Sequence, residues 1–341
     1  MDDISFVRPV LLVNLYYVIG AFSLLINFLG SYLVIFKSSK LDTFKWYLLW
    51  FQLSCTVCDV YGTLIDQPVM MYPVWAAYSA GVVQNYVSTR LASTLYNCFI
   101  QQEFCALCVC FLRKYRSIVK LEDPQYRLSL WKTVLLSQSI SFINAVCFYY
   151  VSMDKSKSMG IIREVSCLAV VNTMIGFQKY PSIAAGFESL TDFVYWHMSP
   201  ELVVWLVVYT ISMSACNNTI FYTTRRMTKI LRDKSQLISK ATSSKHKMAI
   251  NSLIAQCMSA GVMVFPMLIF ILLMILNIGH LQVMTWCVCT TLLTHSAVNC
   301  MVMILTFPPY RRAVLFWKKE KSKRDDKIQS SSTFAIASAN N

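Results

Sequence analysis

The stretch "VLLVNLYYVIGAFSLLINFLGSYLVIF", residues 10–36, decides the class of fold because it contains no charged side chain. A membrane-spanning helix needs about 20 mostly apolar residues. The run is too long for the core of a cleavable signal peptide, and Asp2 and Asp3 precede it where such a peptide would be positive. We therefore expect a first membrane span that stays in the protein as a signal anchor.

The composition extends this conclusion to the whole chain. Of its 341 residues, 56% are hydrophobic and only 14% are charged, against about 25% charged in soluble domains, and the mean hydropathy is +0.50. Of the 13 cysteines, only Cys167 lies outside an apolar run. Inside such runs a cysteine acts as a small hydrophobe, so we expect no dependence on disulfides.

Scanning for further apolar runs predicts an all-α membrane protein with a seven-transmembrane helix bundle. The predicted spans are Val10–Phe36, Trp46–Ile65, Leu91–Leu112, Trp131–Val151, Leu202–Tyr222, Ile250–Leu276 and Met284–Phe307. Residues 69–87 are moderately apolar but include Pro73 and Gly81, so we expect an extracellular re-entrant or loop segment there. The bundle would occupy residues 1–307, and residues 308–341 would form a tail.

Basic residues predict the orientation. The connections between spans alternate in charge. One side of the membrane holds 25 of the 31 Lys and Arg residues, and the other side holds only six, namely Arg8, Arg90, Lys155, Lys157, Arg163 and Lys179. The positive-inside rule places the richer side in the cytosol, so the amino terminus is expected outside and the carboxyl terminus inside. The net charge of +14 then describes an inner membrane face and implies no nucleic-acid partner.

The tail opens with "TFPPYRRAVLFWKKEKSKR", residues 306–324. Pro308 and Pro309 are expected to end the last span, and the following residues could form a short interfacial helix on anionic lipid. At 100° per residue, Tyr310, Val314 and Trp317 share one face while Arg311 points away. The alternative is a plain basic flank that stops transfer through the membrane.

Ionisable groups within spans are costly and mark sites of function or of structural pairing. Glu103, beside Gln102 in the third span, is the strongest candidate to line a ligand pocket, and its alternative is a structural hydrogen bond. Asp66 and Glu201 lie near outer helix ends and join it as pocket candidates. Glu201 follows Ser199 and Pro200, which are predicted to begin the fifth span as N-cap and first helical residue.

Two further sets of residues are candidates for switching and for contact with a cytosolic partner. Pro266 interrupts the sixth span and should kink it, with Gln256 on the same helix. At the inner face, Arg113 could pair the third helix with the sixth, contact a partner, or simply follow the positive-inside rule. The other inner-face candidates are Arg225, Arg226, Tyr310 and Arg311.

Several functional classes lack their signatures. No metalloprotease, serine hydrolase or phosphate-loop motif occurs in a plausible context, and the four histidines are too scattered for a usual metal site. We therefore expect neither an enzyme nor a cofactor. A retinal protein would need a Schiff-base lysine in the last span, and Met284–Phe307 has none. A small-solute transporter remains the alternative, although no internal repeat is evident.

Four stretches resemble one receptor family. Residues 34–78, "VIFKSSKLDTFKWYLLWFQLSCTVCDVYGTLIDQPVMMYPVWAAY", are similar to the first loop and second helix of nematode seven-transmembrane chemoreceptors of serpentine receptor class I, in the Str superfamily, with class H as sibling. Its third and sixth helices are matched by "NCFIQQEFCALCVCFLRKYR" (97–116) and "SLIAQCMSAGVMVFP" (252–266). The end of its seventh helix is matched by "FPPYRRAVL" (307–315). The chain departs from the wider group at Tyr115 and Arg116, where a His-Gln pair would be more typical.

This resemblance implies a G-protein-coupled chemosensory receptor in the plasma membrane of a sensory cilium. Its partners would be a small-molecule odorant or pheromone, a heterotrimeric G protein and membrane lipids. The matched positions are Glu103, Gln256, Pro266 and residues 308–311. The third-helix end reads Arg113-Lys114-Tyr115 and not Asp-Arg-Tyr, so features of rhodopsin-like receptors do not transfer directly.

The charge distribution makes the topology testable. With one epitope tag at each terminus, antibody should label the amino-terminal tag on intact cells and the carboxyl-terminal tag only after permeabilisation, because the basic connections stay in the cytosol. A span inserted between residues 69 and 87 would reverse the label on the carboxyl-terminal tag.

Overall fold

A computed structural model describes residues 6–38, 43–71, 75–168, 181–197, 199–234, 239–275 and 281–314. Its helices are α1 (Val10–Phe36), α2 (Phe44–Val60), α3 (Thr89–Val119), α4 (Leu130–Val151), α5 (Lys155–Leu168), α6 (Pro181–Ser189), α7 (Pro200–Asp233), α8 (Lys240–Ile275), α9 (Leu281–Leu293) and α10 (His295–Thr306). Three short strands, β1 (Pro68–Met71), β2 (Ala76–Ser79) and β3 (Val194–Tyr195), form one antiparallel sheet in that order.

The helices form the predicted seven-transmembrane bundle. Among the residues that the structure describes, six segments are long and apolar enough to cross a membrane: Val10–Phe36, Phe44–Asp66, Thr89–Val119, Leu130–Val151, Pro200–Asp233 and Gln282–Thr306. The 36-residue helix α8 supplies the remaining span. Ser199 caps α7 as predicted, because its hydroxyl oxygen accepts a hydrogen bond from the Leu202 N–H at 3.3 Å, and Pro200 follows as the first helical residue.

The second and seventh spans are not continuous α-helices, although their apolar runs predict uninterrupted helices. The second continues past α2 as a π-helical turn, Tyr61–Asp66, and ends at Gln67, whose φ of 51° is left-handed. The seventh is broken at Thr294, whose N–H donates to the Thr291 carbonyl at 3.1 Å in a tight turn between α9 and α10. Irregular turns of this kind within membrane helices occur often at functional sites.

The described part of residues 69–87 forms no membrane-length helix, which agrees with the predicted re-entrant or loop segment. β1 and β2 pair as a hairpin with Val69 opposite Tyr78, and a 3₁₀ turn, Val82–Asn85, leads on towards α3. β3, from the connection between α6 and α7, joins the hairpin through Ala76 opposite Tyr195. The sheet therefore ties the first and second outer connections together.

The apolar core has two parts. An outer cluster packs the start of α1 against the sheet, α5 and α6, with Tyr16, Phe187 and Phe193 fully buried. An inner cluster joins α1, α2, α3, α7, α8 and α10 around residues such as Phe51, Phe111 and Met227. Together they hold the bundle at both ends and leave its polar side chains between them.

Tyr310 belongs to the inner cluster, so its assignment to a surface that contacts a partner is wrong. Its side chain is fully buried, its ring lies 4.5 Å from that of Phe307, and its hydroxyl hydrogen-bonds the hydroxyl of Ser38. Burial raises the pKa of Tyr310 to about 12. Residues 308–314 are helical, with Arg311 exposed, and the rest of the predicted interfacial helix lies outside the described residues.

Tyr310 should therefore stabilise the fold. We expect Tyr310→Ala to lower the free energy of unfolding by about 3–5 kcal/mol, since it removes a buried aromatic ring, whereas Arg311→Ala next to it should change it by less than about 0.5 kcal/mol. Denaturant unfolding in detergent micelles measures both. Equal effects of the two substitutions would contradict a buried Tyr310.

Candidate functional site

Polar side chains from five helices meet near the centre of the bundle. This set is called the polar core, and all members are buried except His295, whose side chain is 17% exposed. It comprises Ser23 and Asn27 of α1, Gln52 and Asp59 of α2, Glu103 of α3, Gln256 of α8, and His295, Ser296 and Asn299 of α10.

Asn27 connects α1 with α2 and α10 through a chain of hydrogen bonds. Its amide nitrogen donates to Ser296 Oγ at 2.7 Å and to Ser23 Oγ at 3.1 Å, and its amide oxygen accepts from Gln52 Nε2 at 2.6 Å. The Ser23 hydroxyl in turn donates to the carboxylate of Asp59. Satisfied polar groups of this kind hold membrane helices in one relative rotation.

Glu103 and His295 form a buried ion pair between α3 and α10. Glu103 Oε1 lies 2.9 Å from His295 Nδ1, and the two side chains are only 11% and 17% exposed. His295 is the first residue of α10, directly after the break at Thr294. The imidazole at this position is the partner that the seventh span provides for Glu103.

A small cavity adjoins this pair. Glu103, Gln256, His295 and Asn299 line it together with apolar side chains, and its volume is about 10 Å³, enough for about one water molecule. Four buried atoms of these residues make no hydrogen bond. Glu103 Oε1 has only its ion pair with His295 Nδ1, whereas Gln256 Oε1, His295 Nε2 and Asn299 Oδ1 have no partner. Each such atom costs about 1–3 kcal/mol, so the cavity wall favours a small polar guest.

The four predicted pocket residues do not form one site. Glu103 lines the cavity, but Gln102 is only half-buried, and it is Gln101 that is turned inward. Asp66 is buried at the outer end of the second span, where its carbonyl accepts from the Ser79 hydroxyl at 2.5 Å. Glu201 is exposed in the first turn of α7, because its carboxylate lies at the start of a helix and faces outward.

The two predicted switch residues, Gln256 and Pro266, both lie on α8. Gln256 lines the cavity with Glu103, and its amide nitrogen donates to Ser252 Oγ at 3.5 Å. Pro266 lies within α8, but its side chain lies outside the described part of the chain.

The inner face differs from the expectation for Arg113. Its guanidinium donates to the Thr43 hydroxyl and lies 5.8 Å from the centre of the Tyr47 ring. Arg113 thus holds α3 against the first cytosolic loop and α2, and within the described residues no ion pair links it to the sixth helix. The bond forms because both partners lie at the inner ends of neighbouring helices.

The other two candidate arginines, Arg225 and Arg226, lie on α7. Arg225 is exposed, with its guanidinium 4.1 Å from the centre of the Phe221 ring. Arg226 forms a half-exposed ion pair with Glu122 of the second cytosolic loop at 3.8 Å.

Comparison with known families and structures agrees with this architecture. The sequence matches the family described as serpentine type 7TM GPCR chemoreceptor Sri over residues 2–314. The chain belongs to the Sri family. No curated protein matches it. Among solved structures, squid rhodopsin is similar with a TM-score of 0.51 at 10% identity, over 92% of this chain and 86% of that one. At this identity the likeness concerns the fold alone.

For this Sri receptor, the sequence pointed to Glu103 but missed its partner. His295 was visible as an ionisable residue within the seventh span, and its distance from the inner end, about 18 Å at helical rise, resembles the 15 Å estimated for Glu103. An acidic and a basic side chain at similar depth in the membrane could therefore have been predicted to pair. The uncharged members, such as Asn27 and Gln52, carry no such signal because polar amides are common in membrane helices.

The ion pair predicts energetic coupling. Glu103→Gln and His295→Gln should each lower the free energy of unfolding by about 3 kcal/mol, because each leaves a buried group without its counter-charge. The double variant should lose less than the sum, with a coupling of about 1–3 kcal/mol.

A double-mutant cycle in detergent micelles measures this coupling. The half-exposed pair Glu122–Arg226 is the matched control and should couple by less than about 1 kcal/mol. Additive losses at Glu103 and His295 would show that the two side chains do not interact.

Proposed function

We propose that this Sri receptor is a G-protein-coupled chemosensory receptor of class I of the Str superfamily. Its ligand would be a small-molecule odorant or pheromone, and its location the plasma membrane of a sensory cilium. The observation that carries the proposal is the cavity beside the Glu103–His295 pair. Its three unpartnered polar atoms, Gln256 Oε1, His295 Nε2 and Asn299 Oδ1, can recognise a polar group of a small ligand.

The small size of the cavity suggests how a ligand could activate the receptor. At about 10 Å³ it is too small for an odorant, so a ligand that reaches Glu103 must displace α8 or α10. Binding energy from the three unpartnered atoms and competition for the Glu103 carboxylate would favour the displaced state. A ligand shifts such an equilibrium only by its difference in affinity for the two states.

A short polar chain can carry this shift to the inner face. Gln256 at the cavity donates to Ser252 one turn nearer the cytosol, and Ser252 Oγ accepts from Thr306 Oγ1 at 3.1 Å. Thr306 is the last residue of α10. Movement of α8 against α10 must therefore rearrange contacts at the cytosolic end of both helices.

The G protein would bind at that end. Arg225, Arg226 and Arg311 are exposed or half-exposed there and offer positive charge to a partner. Arg113 and Tyr310 support this face from within, since both side chains are engaged with the first cytosolic loop region.

A ligand panel read out by calcium in a heterologous cell tests the proposal. For any agonist found, Glu103→Gln should shift the half-maximal concentration by about tenfold, equivalent to about 1.4 kcal/mol, because the charge that faces the ligand is lost. Surface labelling at equal expression separates potency from folding. Glu201→Gln, a change of the same kind at an exposed carboxylate, is the control and should leave potency unchanged.

Two experimental results would contradict the proposed receptor function. Uptake of the active compound without any G-protein response would favour a small-solute transporter. An unchanged agonist potency in Glu103→Gln, with normal surface levels, would remove the cavity from the binding site.

A further inference from the structure

A second concave site lies at the inner end of the bundle, away from the polar core. It is a cleft of about 670 Å³ between the start of α2, the end of α3, the second cytosolic loop and the start of α4. Four of its lining residues are basic: Arg113, Arg116, Lys120 and Arg127. It is called the basic cleft below.

The positive charge of the basic cleft is not neutralised. Among the residues that the structure describes, none of its four cations lies within ion-pair distance of a carboxylate. The two acids of the adjoining loop are engaged elsewhere: Glu122 pairs with Arg226 at 3.8 Å, and Asp123 Oδ1 accepts from the Gln125 N–H at 3.0 Å. Like charges gathered in one concavity repel one another and therefore favour an anionic guest.

Two more features point to an anion. Arg116 Nε is buried and has no hydrogen-bond partner, although a buried guanidinium nitrogen normally has one. The amino terminus of α4 also lines the cleft, and its N-cap residue, Ser129, makes no capping hydrogen bond with its side chain. The first N–H groups of a 22-residue helix thus add their partial positive charge to that of the side chains.

The cleft opens at the level of the lipid headgroups. Trp131 lines it with 71% of its surface exposed, and Leu135 and Leu136, one turn further along α4, are 49% and 63% exposed. Tryptophan prefers the boundary between headgroups and hydrocarbon. The exposed leucines lie further along α4, on the hydrocarbon side of Trp131, where they can contact acyl chains. A guest with a phosphorylated head and an apolar tail matches both surfaces.

We propose that the basic cleft binds the headgroup of a polyphosphorylated phospholipid of the cytosolic leaflet. Four cations and a helix amino terminus exceed what a single phosphate can neutralise, and basic pockets between membrane helices on this side are suited to phosphoinositide headgroups. Arg113 is already fixed by Thr43 and Tyr47, so part of the site is pre-organised. A lipid is a more suitable occupant than a G protein because the exposed side chains of Trp131, Leu135 and Leu136 continue the cleft along a membrane-spanning helix.

Binding of a fluorescent phosphatidylinositol 4,5-bisphosphate to the purified full chain in detergent micelles tests this. Lys120 and Arg127 are exposed, so Lys120→Gln/Arg127→Gln should fold normally. It should bind the probe about 30-fold more weakly, since each charge contributes about fivefold near a membrane surface. Arg116→Gln should weaken binding by about fivefold or more.

Arg232→Gln is the matched control, because Arg232 is a cytosolic cation with 79% of its side chain exposed, beside Asp233 on α7. It should change the affinity by less than twofold. Phosphatidylserine should compete weakly, and soluble inositol trisphosphate should compete less well than the whole lipid because it lacks the tail that contacts Trp131 and the leucines.

Equal affinities in the cleft variants and the wild type would overturn the proposal. So would a cleft variant that keeps its lipid affinity but loses G-protein activation in lipid-free detergent, since the cleft would then belong to the G protein. Competition by inositol trisphosphate as strong as that by the lipid would assign the site to a soluble phosphate and would equally reject a lipid site.

Discussion

The hydrocarbon core of the membrane offers no hydrogen-bond partner, and this constraint governs the arrangement of the whole bundle. A polar side chain within a span is therefore stabilised mainly by partners inside the protein. Asp59 finds Ser23, Asn27 finds Gln52 and Ser296, and Glu103 finds His295. These pairs determine which face of each helix turns inward. An apolar helix face gains little free energy by leaving lipid for protein, because the two surroundings are similarly apolar.

The same constraint separates the rigid parts of the receptor from the part able to change. The outer cluster and the sheet tie the first two outer connections together, and the inner cluster seals the cytosolic end around Phe111 and Tyr310. Between them lie a π-helical turn, a broken seventh span and three unpartnered polar atoms. Three buried polar atoms without a partner line the cavity where helices α8 and α10 meet Glu103, and this is the place where we propose that a ligand acts.

Basic residues at the inner face fall into three groups that sequence position alone does not distinguish. Arg113 contacts Thr43 and Tyr47, whereas Arg225 and Arg311 are exposed. Arg116, Lys120 and Arg127 line the basic cleft beside α4, together with Arg113. All obey the positive-inside rule, which counts charges without regard to the direction of each side chain.

The sequence by itself determined the seven spans, the loop at residues 69–87 and the cap of α7 at Ser199. Apolar length and capping chemistry are local properties, readable within a few helical turns. It also marked Glu103 as a buried ion, because a carboxylate in a span is costly wherever the helix turns. Only the tertiary structure decided that His295 pairs with it, that Glu201 is exposed and that Tyr310 is buried. These outcomes depend on helix rotation and on the breaks at Asp66 and Thr294, which arise from contacts between residues far apart in the chain.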